Sequence, residues 1–431
     1  MKHPRWNVAA VCVMGLMCTV GMALPYPILA PIFVGGPVDR FTHFGGLPPP
    51  VLMGLALAAN PLGILLGSLV VGPMSDRHGR RNVLAVTLSA AMGCYLLTAL
   101  ALGARHYPLF VLARFATGLT EGNIAVARAL LADLGEQVDR TRAFAMLNAF
   151  LYAGWLVGPL VGGWTLPLGE PVPFLLAGAV MLPCLAVLWF GLPGRGDAGS
   201  ERLPAAVGAD AGIGADAGTG GGTPASAQAP ARAGGLVALL RGDRTLALVA
   251  VLQFTYTLGL NSIYEYAPLW MLVNAHLDSR GIALVTAGQC ALMTLASILA
   301  GRFGRLGRGG HPLRQAAWAA MLAALGMASL AVLPGPAGLV AIIVLGVPTA
   351  LYNAVLPAWI SERFAPYGQG RVMGLLSTLF CAANVIVALG GGALALLSTR
   401  WIMGLAGAAC VAAAWLMLRL AAREGGAERA G

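Results

Sequence analysis

Two carboxylic acids stand in stretches that otherwise carry almost no charge: Glu121 and Glu265. A carboxyl group withdrawn from water can cycle between protonated and ionised forms near neutrality, so each is a candidate for proton handling. Arg114 stands seven residues before Glu121. On a helix that spacing is two turns, a rise of about 10.5 Å, which places both groups on one face but too far apart for a simple direct pair. Arg114 has a plain alternative, snorkelling to outer headgroups. Glu265 follows Thr257 and Asn261 at i+8 and i+4 spacing and precedes Pro268. Such a stripe turns to a water-filled cavity or a bundle interior; partial exposure near the outer end of its helix is the alternative. An acid that also met a cationic substrate would couple the two by competition. Tyr26, Asn148, Tyr152, Trp155 and Tyr256, with Asn60, Tyr264, Asn353 and Asn384, supply aromatic and amide groups that could shape a cavity. Asn148, Tyr152 and Trp155 share one helical face, although helix packing explains each singly as well. No phosphate loop, nucleophile–base set or metal-ligand spacing occurs, which leaves an ATP-driven pump or membrane enzyme without chemical support and implies no cofactor.

The elements that carry these groups are apolar. Of 431 residues 58% are hydrophobic and 10% charged, where a soluble domain carries about 25% charged residues. Apolar segments fall at 8–33, 50–72, 83–104, 108–128, 143–165, 172–192, 245–273, 281–301, 315–334, 337–360, 372–397 and 400–420. Each matches the roughly 20 residues a membrane-spanning helix needs, and none alternates as barrel strands do. The expected fold is an all-α integral membrane protein of twelve helices in two six-helix bundles, residues 1–192 and 245–431, the latter with a short cytoplasmic tail. Between them, 193–244 is Gly/Ala-rich with a duplicated Gly-Ala-Asp-Ala-Gly, the composition of a flexible linker. The basic Met1–Arg5 leads into the first apolar run without a convincing cleavage site, which reads as an uncleaved first helix.

Lysine and arginine fix the expected orientation. All of them except Arg40, Arg105, Arg280, Arg400 and the intramembrane Arg114 fall on one side of the twelve-span topology. That side is read as cytoplasmic, with both termini inside. The +10 net charge is therefore spread along one membrane face, meeting anionic headgroups rather than nucleic acid. The seven cysteines all lie in apolar segments and form no CxxC pair, so neither a disulfide framework nor a zinc site is expected. An internal repeat is faintly visible. At an offset of 228 residues Arg77-x-Gly79-Arg80 falls on Arg305-x-Gly307-Arg308, and Gly162-Gly163 falls on Gly390-Gly391.

Three motifs carry a resemblance. The segment Gly72-Pro-Met-Ser-Asp76-Arg77-His-Gly79-Arg80-Arg81, read as the loop after the second helix, resembles the signature of the major facilitator superfamily. Arg114-x3-Gly118 matches that family's fourth-helix motif, although Glu121 replaces a usually small residue. Gly154-x3-Gly158-Pro159-x2-Gly162-Gly163 resembles the antiporter motif of the family's exporters, with Ala145 in place of one further glycine. Pro25, Pro27 and Pro31 match the exporters' first-helix prolines only loosely.

The resemblance implies the group of drug:proton antiporters that includes tetracycline exporters. Asp76 and Arg77, with Asp133, would form a latch at the cytoplasmic gate. Arg114 would assist proton transfer, and the two halves would rock about a central site. It implies a monomer in the inner membrane, driven by the proton gradient and handling a small organic molecule. An endogenous metabolite or siderophore as cargo, import rather than export, and a non-transporting sensor or scaffold are the alternatives.

Overall fold

The computed structural model describes residues 4–121, 140–191, 240–303, 311–333, 335–367 and 369–430. Most of 193–244, Asp133, the inner half of the fourth apolar segment, and Arg305 and Arg308 of the repeat lie outside the described residues. Lipid offers backbone groups no hydrogen bonds, so apolar segments of this length must satisfy themselves as helices. The described secondary structure is helical. Eleven of its helical segments are long and apolar enough to cross a membrane; the described part of the fourth apolar segment is a 14-residue helix, Tyr107–Thr120.

In the first half the helices are α1 (Pro4–Ala23), α2 (Tyr26–Phe33), α3 (Pro49–His78), α4 (Arg80–Gly103), α5 (Tyr107–Thr120), α6 (Arg140–Thr165) and α7 (Val172–Gly191). The second half holds α8 (Arg244–Asn274), α9 (Ser279–Phe303), α10 (Pro312–Val332), α11 (Gly335–Val344), α12 (Gly346–Arg363), α13 (Gln369–Leu394) and α14 (Thr399–Ala430). The first span is broken at Leu24-Pro25 into α1 and α2, since proline withholds a backbone donor and bends the helix. The tenth is broken at Leu345 into α11 and α12.

Packing reveals the repeat that the sequence barely shows. In the first half α1 packs on α6 and α7, α4 on α7 and α5, and α3 on α5. In the second, α8 packs on α13 and α14, α10 on α14 and α12, and α9 on α12. Counted as spans, the two patterns are the same wheel of contacts. The halves meet along two symmetry-related seams, α3 against α13 and α6 against α9.

Two expectations need correction. The signature segment around Asp76 and Arg77 is not a loop: α3 runs through His78, and the chain turns only at Gly79, whose φ of 88° suits glycine. Charge marks where an apolar run ends, but a helix entering water continues past that point. The last helix, α14, likewise runs on to Ala430. The repeat offset is one residue short. Gly162 abuts Leu24 of the first span while Gly391 abuts Tyr266 of the seventh; Gly163 lies on the α9 seam and Gly392 on the α3 seam. Structurally, Gly162-Gly163 correspond to Gly391-Gly392.

Candidate functional site

Glu121 caps the described end of α5 and is held from two neighbouring helices. Asn60 of α3 donates from Nδ2 to one carboxylate oxygen at 3.0 Å, and Tyr95 of α4 donates its hydroxyl to the other at 2.8 Å. Glycine makes this triangle possible. A Cβ at Gly118 would come within 3.0 Å of the Asn60 carbonyl carbon and the Gly63 Cα, and Gly63 and Gly67 lie as tightly against Phe115 and Leu119. The fourth-helix motif glycine thus lets α3 approach until Asn60 reaches the acid.

Arg114, two turns earlier, is 3% exposed, which rules out snorkelling. Its Nε and Nη1 have no hydrogen-bond partner. Its charge acts on Glu121, whose oxygens are taken by Asn60 and Tyr95, and on the Tyr26 hydroxyl. The spacing argument against a direct pair agrees with this geometry.

Glu265 lies in α8 and is 3% exposed, so the alternative of a partly exposed outer turn fails. Its Oε2 has no partner. Thr257 and Asn261 are equally buried; Thr257 donates to the Gln253 carbonyl at 2.7 Å, while Asn261 makes a long 3.5 Å contact to the Phe380 carbonyl and leaves its Oδ1 unpartnered. The charge of Glu265 acts on Tyr26 across the boundary between the halves.

Aromatic rings connect the halves at this level. Tyr26, placed at the start of α2 by the proline break, lies 5.4 Å from Trp155 of α6. Trp155 lies 6.4 Å from Tyr264 of α8. All three rings are partly accessible. Tyr152, one turn from Trp155, packs beside Met293, Ala296 and Ala350 of the opposite half. Tyr256 does not join this wall. It is fully buried within the second bundle, stacked on Tyr352 at 3.4 Å between centroids. Asn148 lies on α6, one turn before Tyr152.

The glycines of the α6 motif divide between two partners. Gly154 faces Thr19, Gly158 faces Val20 and Ala23, and Gly162 faces Leu24, all in the first span. Gly163 instead faces Ser279 and Ala283 of α9, and the Ser279 hydroxyl donates to the Gly163 carbonyl across the seam at 3.0 Å. Pro159 is buried inside α6. On the second seam Gly54 lies against Ala388 and Gly392. Both seams lie at the end of the molecule where Arg105 pairs with Glu170 at 2.7 Å and with Asp39 at 3.2 Å.

At the opposite, arginine-rich end three sets of polar contacts each lie within one bundle. Arg81 donates to the Trp189 carbonyl at 3.1 Å and sits over the Trp189 ring. Arg363 and His311 both reach Glu424. Tyr367 donates to Asp243, the cap of α8, at 3.0 Å. Burial pushes the Asp243 carboxyl up, but these donors and Arg363 outweigh it and hold it below the usual carboxylate range. Arg77 is exposed and Arg80 opens α4; Gly72 and Asp76 lie in the last turns of α3.

Sequence reasoning missed Tyr95 as the second donor to Glu121, and the Tyr352–Gln253 hydrogen bond of 2.9 Å beneath Tyr256. Tyr95 stands 26 residues from its partner and reads as an ordinary buried aromatic; no local signal marks it.

Two helical bundles of the same contact pattern, meeting along two seams and each burying ionisable groups, define a polytopic membrane protein of two repeated halves. The chain belongs to the Major Facilitator Superfamily, whose family model matches residues 8–347. It is a transporter and not an enzyme. Tetracycline resistance protein class B of Escherichia coli is 31% identical over 181 residues, 41% of this chain and 42% of that protein. The matched stretch thus spans about two fifths of that relative. Among solved structures, the human organic anion transporter MFSD10 (TETRAN) superposes with a TM-score of 0.65 at 17% identity, covering 97% of this chain and all of the other. An autoinhibited POT family peptide transporter gives 0.73 at 15% identity, covering 97% and 96%. At these identities the structures establish the fold.

Proposed function

We propose that this protein exports a small, drug-like organic molecule in exchange for protons, by alternating access in the cytoplasmic membrane. The observation that carries the reading is Glu265: a carboxyl group 3% exposed in a membrane-spanning helix, with an oxygen lacking any partner. An isolated carboxylate out of water is costly, so such a group is stable only with a proton or a counter-cation, which are the two states an antiporter needs. Glu121, held by neutral donors beside Arg114, is the second candidate for the proton path. Likeness to tetracycline resistance proteins supports a drug as cargo, and the four-residue glycine spacing of α6 supports export.

The arginine-rich end is cytoplasmic in this reading, by the positive-inside rule. The closed seams then face outward. One chain supplies both halves, so a monomer suffices. Protein in liposomes with an imposed pH gradient tests the proposal. Drug flux should follow the gradient and fall at least tenfold in Glu265→Gln; flux indifferent to the gradient would defeat proton coupling.

A further inference from the structure

Among the described residues two arginines lie over tryptophan rings, and both pairs stand at the arginine-rich end of the molecule. Arg419 sits 3.7 Å from the ring centroid of Trp415 on α14, and Arg81 of α4 sits 5.4 Å from that of Trp189 on α7. Both tryptophans are exposed, so in a bilayer they face lipid. The helices involved are repeat counterparts: α4 packs on α7 as α10 packs on α14, and the seams run along other helices. The same arginine–tryptophan contact thus occurs twice, on the two outer flanks of the protein.

The flank of the second half is the more developed. The start of α10 meets the end of α14 through His311 and Glu424 at 3.2 Å, so the two helices run antiparallel. Gly407 abuts Ala324 and Ala328, which fixes their contact faces. Roughly a quarter-turn round each helix, on the same side of the pair, stand exposed Arg314 and Trp318 of α10 and exposed Trp415, Arg419 and Arg423 of α14. At 1.5 Å of rise per residue, the three arginines lie about 1.5 to 7.5 Å along the helices from the His311–Glu424 contact, and the two tryptophans about 10.5 to 13.5 Å. Charge therefore forms one layer and aromatic surface the next, and exposed Leu322 and Leu325 continue the apolar part.

This face carries three positive charges without an acid to offset them. Neither helix has an acidic residue before Glu424, and Glu424 is taken by His311 and Arg363. Arginine matches phosphate oxygens with paired donors, and the ring of Trp415 holds the Arg419 guanidinium in place. A zwitterionic headgroup would bring its ammonium against three like charges. A free anion would leave the apolar layer unused.

We propose that the groove between α10 and α14 binds one anionic phospholipid, its phosphate on Arg314, Arg419 and Arg423 and its chains over Trp318 and Trp415. The orientation given above places this lipid in the inner leaflet, where anionic headgroups gather. The Arg81–Trp189 pair marks the counterpart in the first half. A general attraction of basic loops to the membrane would be diffuse; this site is saturable and holds a fixed number of lipids.

Native mass spectrometry of the full-length protein in detergent tests the site. The probes are phosphatidylglycerol and phosphatidylcholine with identical acyl chains. At limiting lipid, phosphatidylglycerol adducts should exceed phosphatidylcholine adducts at least fivefold. Arg419→Gln combined with Arg423→Gln should hold one phosphatidylglycerol fewer, and Trp415→Leu should weaken binding about threefold. Arg400→Gln, at the outer end of α14 beside exposed Trp401, should change nothing. Equal adducts of the two lipids, or native preference in the paired variant, would overturn the proposal. Displacement of the lipid by an equal concentration of inorganic phosphate would reveal a site for free anions and would overturn it too.

Should the paired variant fail to fold, the native protein supplies the answer. Photoactivatable phosphatidylglycerol should label peptides within 411–423, and labelling confined to other segments would refute the site.

Discussion

Replacing Gly163 by alanine should part the two halves at the closed end without loosening either bundle. The new methyl would meet the Ser279 carbonyl oxygen and the Ala283 Cβ, with the Ser279 carbonyl carbon at 3.2 Å. Forcing a methyl into a packed contact costs about 1–3 kcal/mol. That cost falls only on the state in which α6 and α9 touch. The helix-propensity gain of alanine over glycine, about 1 kcal/mol, is common to both states and cancels. The equilibrium should therefore shift toward the parted state by about 5- to 150-fold.

Gly154→Ala supplies the control. Its methyl would meet the Thr19 Cβ at 2.6 Å, a contact inside one bundle, so stability should fall with no shift between states. Leu168 and Leu397, 73% and 75% exposed on opposite halves near the seams, are sites for spin labels once the seven native cysteines are replaced. Pulsed electron–electron distances between them should gain a longer population in Gly163→Ala only. Distributions superimposable on the parent, or an equal shift in Gly154→Ala, would refute the assignment of Gly163 to the moving seam.

Ser279→Ala removes the 3.0 Å hydrogen bond to Gly163 and should move the same distances in the same direction by about 1 kcal/mol or less. Tyr95→Phe and Asn60→Ala each strip one donor from Glu121; each should cost about 1.5–3 kcal/mol in detergent unfolding, and the double change should be non-additive because one carboxylate receives both bonds. An unchanged unfolding midpoint in both single variants would count against the Glu121 triangle. At the closed end burial pushes the Asp39 carboxyl up, but the Thr42 and Phe41 amides and Arg105 outweigh that and hold it below its usual 3.8. A depressed carboxyl stabilises above its unfolded value and loses that contribution as pH falls through the folded one. Asp39→Asn should thus be less stable than the parent near pH 7, by about 1 kcal/mol or less for so accessible a pair, with the gap narrowing progressively as pH falls below 3.8. A gap that does not narrow at all as pH is lowered would show that the charge is not its source.

Much of the candidate site was visible before folding was considered. Glu121, Glu265 and Arg114 stand out because an ionisable group amid apolar residues is rare and costly. Their partners were not visible. Tyr95 and Asn60 meet Glu121 only because glycines let three helices close on one point. Tyr256, sharing the seventh span with Tyr264, turned out to face Tyr352 inside its own bundle rather than the boundary. Helix rotation decides such cases, and rotation is set by contacts remote in the chain.

The sequence by itself determined that lipid surrounds this chain, where it crosses, and which few polar groups cross with it. Those properties follow from hydropathy along one dimension, since each span must satisfy its backbone internally. Tertiary structure alone decided that Glu265 is sealed from water, that Gly162 and Gly163 serve different neighbours, and that the repeat is one residue out of the register the glycines suggest. Each depends on which face of a helix meets which other helix, and among apolar neighbours that choice rests on close packing of small residues, for which composition leaves no trace.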